Sequence, residues 1–443
     1  MAEDIFGRKT LEKLGRRLRD AEIPDQKDLD SLQAYRSSYK DVISEVFHIV
    51  DENAKSVCKS AICAFRIKRI DSIIGKLRRL RGELELKSMY DIAGCRCIVE
   101  KDSEIYKIIA KLQQSNLQIV KIKDNIGKRV KESGYRSVHI YVYLEKFGDR
   151  KQVEIQLRTK VHHNWATFVE TIDHLYNLKV KEEVREEKKG TMYDDFVRFH
   201  QIMSKSPNRI TKDEKIFLLD TIVKHNIIGK LTNEIIQNVG WNRLQWIEIK
   251  HSDNILEPIC SYVIATKRGR TPEILGFSAF DQAEQKYYEL FSSNKDNSNI
   301  VLLNMPNATY SQLTVAYSNY LLAGHEFMRV FNQITIDMFD VTSGIETKQL
   351  KPYFNYCCSL TINEYNKYMK KEHELLRMTN QLSPSLRAEW VYDVKKRYTE
   401  LYNDNQMLKH ELEKRYIYEQ QHTKFGKFIL KMFMWLFKFL RHI

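Results

Sequence analysis

The stretch Val153-Glu154-Ile155-Gln156-Leu157-Arg158-Thr159 alternates strictly between apolar and polar residues. A period of two predicts a β-strand with Val153, Ile155 and Leu157 on one face and Glu154, Gln156 and Arg158 on the other. A carboxylate, an amide and a guanidinium then stand in a row on one pleated face. Such a row suits a metal-bound, multiply phosphorylated ligand. It also suits a half-exposed antiparallel strand with one solvated face.

Outward from this strand, short apolar runs at 91–99, 117–122 and 137–144 read as three more strands, and 161–176 reads as a helix. Residues 20–64 read as helix, because Val42, Ile43, Val46, Phe47 and Val50 recur at helical spacing. The expected fold is α+β, a mixed β-sheet flanked by helices. The stretch 204–213, Ser-Lys-Ser-Pro-Asn-Arg-Ile-Thr-Lys-Asp, reads as a linker. Beyond it, 246–250, 261–266 and 299–304 read as strands, 281–291 and 309–322 as helices, and 296–299 as a turn, giving a smaller α/β unit. From about residue 361 the pattern is helical and charged, with Ser383 as an N-cap and Pro384 at the first helical position. The expected division is an N-terminal extension at 1–30, a main domain at 31–203, the small α/β unit at 214–345, a helical region at 346–423 and a terminal basic helix at 424–443.

The 443 residues suffice for two or three domains with sizeable cores. Only 7 Pro and 16 Gly argue against long disordered linkers. A net charge of +14 favours polyanionic partners such as nucleotides, RNA or an acidic membrane surface, without choosing among them. The 7 Cys include no C-x-x-C pair, which argues against a zinc site and for reduced, buried thiols in a cytoplasmic protein. The first residues, Met1-Ala2-Glu3-Asp4-Ile5-Phe6, hold no apolar core of a signal peptide.

Four clusters carry candidate chemistry. Arg66 and Lys68 are followed by Ser72, Lys76 and Arg79 at steps of three and four, which on a helix would align cations and a hydroxyl to hold phosphates, or would form a solvated basic face. Asp91 opens the strand Ile92-Ala93-Gly94-Cys95-Arg96-Cys97-Ile98-Val99, where an acid facing a basic helix is a reasonable magnesium ligand and also ordinary turn chemistry. Lys131-Glu132-Ser133-Gly134-Tyr135-Arg136-Ser137-Val138-His139 places a tight turn before a strand, an aromatic ring suited to stacking on a base, and Ser137 and His139 on one strand face. The fourth cluster is Glu154, Gln156 and Arg158 themselves, with His162 and Trp165 following. There is no G-x-x-x-x-G-K-[ST], G-x-G-x-x-G or H-E-x-x-H. A nucleotide would therefore be held by basic side chains rather than by a glycine-rich backbone cradle.

Together the clusters resemble the synthetase domain of the RelA/SpoT alarmone family. The resemblance runs over Arg66-x-Lys68-x-x-x-Ser72-Ile73-x-x-Lys76, Asp91-Ile92-Ala93-Gly94-x-Arg96, Lys131-x-Ser133-Gly134-Tyr135-Arg136-Ser137-x-His139 and Glu154-x-Gln156-x-Arg158-Thr159. It implies a RelA/SpoT nucleotidyltransferase-like fold in 31–203 and an ATP-dependent pyrophosphokinase. Such an enzyme moves pyrophosphate to the ribose 3′-hydroxyl of GDP or GTP, giving AMP and a (p)ppGpp-type alarmone. By resemblance, Arg66, Lys68, Ser72, Lys76 and Arg96 hold ATP. Asp91 and Glu154 are catalytic and bind Mg2+, and Lys131, Tyr135, His139 and Gln156 face the acceptor. A tRNA 3′ end as acceptor, and an inactive sensor or scaffold, are the alternatives. No adjacent His-Asp pair of the family's hydrolase occurs, so synthesis without self-contained degradation is expected, as in small or toxic synthetases. Control would then come from elsewhere, such as an antitoxin or other regulatory protein, in a stringent-response or toxin–antitoxin setting.

At the C-terminal end, Lys424, Lys427, Lys431 and Lys438 fall in one helical sector, with Phe428, Ile429, Met432, Phe433, Trp435, Leu436, Phe439 and Leu440 around the rest. This basic amphipathic pattern fits a membrane surface, at the inner face of the membrane, or a helix docked on protein. Its apolar run is shorter than the ~20 residues of a span.

Overall fold

The computed structural model describes residues 6–127, 135–148, 151–176, 178, 191–203, 205, 209–231, 261–268, 271–293, 300–304 and 310–316, with short pieces and single positions from 336 to 432. The chain divides into two compact units. The first comprises Met1–Val130, Arg136–His163 and Gln245–Leu321; the second comprises Lys131–Tyr135, Asn164–Leu244 and Leu322–Ile443.

The first unit is built on one eight-stranded mixed sheet. Its strands are β1 (Ile62–Ile67), β2 (Ala93–Val99), β3 (Gln118–Asp124), β4 (Val138–Tyr143), β5 (Val153–Thr159), β6 (Tyr262–Arg268), β7 (Thr271–Phe277) and β8 (Ile300–Asn304). Their order is β3-β4-β5-β2-β1-β8-β6-β7. Among the described strands only β2 and β5 run parallel; the other neighbours are antiparallel. The expected mixed sheet flanked by helices is therefore present. The expected separate α/β unit is not: β8 pairs with β1 through Phe65 and Asn304, so β6, β7 and β8 extend the same sheet. The reason is that β1, β8 and β6 are apolar on both sides, as Ile300, Val301, Leu302 and Leu303 show, and such strands belong inside a covered sheet.

Two further expectations are corrected. Residues 62–67 form the strand β1 rather than the end of a helix, so Arg66 sits on a strand and the helix α4 (Ile70–Arg79) begins after it. The strand β7 lies where the sequence pattern had shown none. The expected strand at 246–250 and turn at 296–299 lie outside the described residues.

Helices cover the apolar face of the sheet. α3 (Lys40–Val57) buries Val42, Ile43, Val46, Phe47, Val50 and Ala54, a stripe of helical period. With α5 (Asp102–Gln113) it packs on β2 and β5. Val153, Ile155 and Leu157 are buried there, as the alternation requires. α1 (Arg8–Asp20) and α2 (Gln26–Ser37) pack around α4. The Asp25 side chain caps α2 by accepting from the Asp28 N–H at 2.7 Å.

The second unit has its own core, in which Phe168, Ile172, Phe196, Phe199, Leu218 and Ile222 meet. They come from α6 (Lys160–Tyr176) and the helices Thr191–Met203 and Lys212–His225. The stretch expected as an interdomain linker, 204–213, joins two helices of this one unit. There Thr211 and Glu214 form a capping box that starts the second helix. Of the C-terminal basic helix, only Phe428 and Met432 are among the described residues, and both are exposed. Among the described residues no helix is long and apolar enough to cross a membrane.

Candidate active site

The strand register brings the candidate residues together. Across β4, β5, β2 and β1 one row reads Tyr141, Glu154, Gly94, Arg66, and the next reads His139, Gln156, Arg96, Ala64. Residues opposite one another in paired strands share a face, so these side chains stand on the polar side of the sheet. Gly94 keeps its row open. A Cβ at that position would lie 3.1 Å from the Glu154 carbonyl oxygen.

Arg66, Lys68, Asp91, Arg96, Glu154 and Gln156 line one open cleft of about 490 Å3. The two acids, far apart in sequence, thus share a pocket. Each is held by its own partners. Asp91 accepts from Lys68 Nζ through Oδ2 at 2.6 Å and from Lys76 Nζ through Oδ1 at 2.8 Å. Burial pushes its carboxyl up, but the two ammonium groups outweigh burial and hold its pKa down at about 2. Burial lowers the pKa of Lys68 despite its acidic neighbour.

Glu154 meets His139 Nδ1 at 2.6 Å and accepts from the Tyr141 hydroxyl at 3.1 Å, both through Oε1. Burial raises its pKa and the negative charge of Asp91 adds to that, yet His139 and Tyr141 prevail and the net shift is downward. Arg96 donates from Nε to Gln156 Oε1 at 3.2 Å and from Nη1 to the Ala316 carbonyl at 3.0 Å. Lys123 Nζ lies 5.2 Å from the centre of the Tyr141 ring.

Not every candidate falls on the cleft wall. Ser72 lies on α4 one turn before Lys76, and its Oγ accepts from Arg69 Nε at 3.3 Å. Arg158, expected in the polar row, is buried with only 3% exposure, next to Ile98 in the ladder. Lys131 lies outside the described residues, and Tyr135 is half-buried and belongs to the second unit. Tyr141 had not been singled out from sequence. Its signal was the two-residue step from His139 along one strand face.

The donor set fits a magnesium ion of the kind nucleotide enzymes use. Two carboxylates share the cleft, and a metal at Asp91 would take the place of one of the ammonium groups of Lys68 and Lys76 that its two oxygens now hold. Among the described residues no three His, Cys, Asp or Glu side chains are grouped to hold a metal by themselves. Two carboxylates with phosphate oxygens completing the shell is the expected arrangement for this ion.

Residues 65–183 match a family model described as a region found in RelA / SpoT proteins. The chain is 36% identical over 133 residues to the GTP pyrophosphokinase YwaC of Bacillus subtilis (strain 168), covering 28% of this chain and 63% of that one. It is 35% identical over 127 residues to the GTP pyrophosphokinase YjbM of the same organism, covering 27% of this chain and 59% of that one. The chain thus spans about three fifths of the length of these curated relatives. Among solved structures, that of the small alarmone synthetase 1 from Bacillus subtilis is 26% identical, with 33% of this chain and 81% of that chain covered at a TM-score of 0.30.

Proposed function

Since residues 65–183 match a family model described as a region found in RelA / SpoT proteins, we propose that this chain is an ATP-dependent pyrophosphokinase acting on the ribose 3′-hydroxyl of a guanine nucleotide. The observation that carries the reading is the meeting of Asp91 and Glu154 in one cleft with Arg66, Lys68 and Arg96 around them. In this reading the acceptor 3′-oxygen attacks the β-phosphorus of ATP. The bond from that phosphorus to the α–β bridging oxygen breaks, AMP leaves, and the hydroxyl proton passes to the Glu154 carboxylate.

Little covalent work falls to the protein in such a transfer; positioning and charge neutralisation dominate. Arg66, Lys68, Lys76 and Arg96 supply the positive charge that a triphosphate requires. Ser72, on the same helix as Lys76, adds a hydroxyl donor. Asp91 and Glu154 would hold Mg2+, which shields the phosphate charge. The downward shift of both carboxyls keeps them ionised for that task. His139 and Tyr141 orient Glu154, and Gln156 and Arg96 stand beside it. The basic helix at 424–443 would bring the enzyme to an anionic membrane surface.

The test is transfer itself. Purified protein with γ-labelled ATP and magnesium is offered GDP, GTP or deacylated tRNA. Label in a guanine nucleotide supports the proposal. Label on tRNA alone, or no transfer to any acceptor, refutes it.

A further inference from the structure

We propose that the helix Phe280–Ser293, beyond the residues matched by the RelA/SpoT model, positions Lys68, and that Glu284 is its positioning residue. The inference rests on the reading of Lys68 as an ATP ligand. Lys68 sits between β1 and α4, where the chain turns from strand to helix. Its N–H donates to the Ile92 carbonyl at 2.8 Å, and its own carbonyl accepts from Arg36 Nε at 2.7 Å. The backbone that aims the Lys68 ammonium is therefore held on both sides.

Arg36 is held in turn by the helix Phe280–Ser293. Its Nη1 lies 3.1 Å from Glu284 Oε2 and its Nη2 lies 3.5 Å from Glu284 Oε1. Both side chains are almost wholly buried, at 1% and 4% exposure. Gln33 accepts from Arg36 and donates to Glu284 Oε2 at 2.8 Å, closing the network. One turn further along the same helix, the Tyr287 ring lies 4.6 Å beneath the Arg36 guanidinium. The Tyr287 hydroxyl accepts the Ile70 N–H at 3.2 Å. That N–H is one of the donors left open at the start of α4, where Arg69 gives no side-chain cap. Glu284 and Tyr287 thus fix the β1–α4 junction from one face of one helix.

A buried ion pair is a poor source of stability, since desolvating both charges offsets their attraction, and apolar pairs of similar volume often serve as well. What an apolar pair lacks is a donor for the Lys68 carbonyl. That difference separates a positioning role from a packing role, and it can be read in the full-length chain.

Binding of ATP with magnesium is measured directly, without turnover, alongside the melting temperature. Glu284→Gln leaves the Arg36 charge buried and uncompensated. It is expected to lower the melting temperature and weaken ATP binding roughly tenfold, the scale of a small misplacement of a binding group. The double variant Arg36→Met with Glu284→Leu removes both charges. It is expected to recover the melting temperature while ATP binding stays weak. Tyr287→Phe buries no charge and is expected to weaken ATP binding about threefold, as loss of one hydrogen bond does. The proposal is overturned if the folded double variant binds ATP like the wild type or, should it not fold, if Tyr287→Phe does. Wild-type protein that binds no ATP overturns the nucleotide-site reading itself, and this proposal with it.

Discussion

His139 Nδ1 lies 2.6 Å from Glu154 Oε1, although the two are diagonal rather than opposite partners in the β4–β5 ladder. Tyr141, directly opposite Glu154, donates to the same oxygen. The carboxylate is gripped at one oxygen.

Glu154→Gln keeps the shape of the side chain and removes its charge. Transfer should fall by at least about a hundredfold while the protein remains folded. His139→Ala takes away a group that lowers the Glu154 pKa. The carboxyl then ionises only at higher pH, so the acid limb of the pH–rate profile should move to higher pH. A limb that stays in place would count against Glu154 as the group that the acid limb reports.

Asp91 has a folded-state pKa of about 2 against an ordinary 3.8. A depressed carboxyl contributes its stability above the unfolded pKa and loses it as pH falls through the folded one. Wild type should therefore exceed Asp91→Asn in unfolding free energy by on the order of 2 kcal/mol near neutrality. The gap should narrow between about pH 4 and pH 2. Denaturant unfolding at several acid pH values measures it, and a gap independent of pH would contradict the pairing of Asp91 with Lys68 and Lys76. The same variant should abolish transfer at neutral pH.

Gly94 stands between Glu154 and Arg66, with β5 backbone where a side chain would go. Gly94→Val should cost roughly 1–3 kcal/mol by overpacking. It should also raise the KM for ATP by narrowing the cleft. Denaturation midpoints and initial rates test the two effects separately, and wild-type values in both would show that the strands part freely here.

Removing residues 424–443 should abolish sedimentation with anionic vesicles and leave transfer to a soluble acceptor intact. Unchanged sedimentation would remove the membrane proposal.

The strands at 91–99, 117–122, 137–144 and 152–158 were legible because each carries a clear alternation or a bounded apolar run. β1 was not. Cys63, Ala64 and Phe65 are all buried, so the period of two vanishes and the run merges with the helical pattern before it. β7 contains Pro272 and Gly276, which dilute the strand signal. Asp91, Glu154, Lys68 and Lys76 could be read from motif spacing, and they do assemble. The grip of His139 and Tyr141 on Glu154 depends on inter-strand register, which a single sequence does not display. The ion pair of Arg36 and Glu284 joins residues 248 positions apart, beyond the reach of any local pattern.

The pairing of Phe65 with Asn304 has a practical consequence for anyone dissecting the chain. A fragment cut to the 65–183 match would lose Ile62–Ala64 of β1 together with the neighbouring strand β8, leaving the rest of β1 with unpaired backbone donors and acceptors. Such a bare, apolar rim is a template for intermolecular strand addition. The excised module is therefore expected to aggregate, whereas a fragment starting before Ile62 and running on through β8 would keep β1 whole and paired with β8.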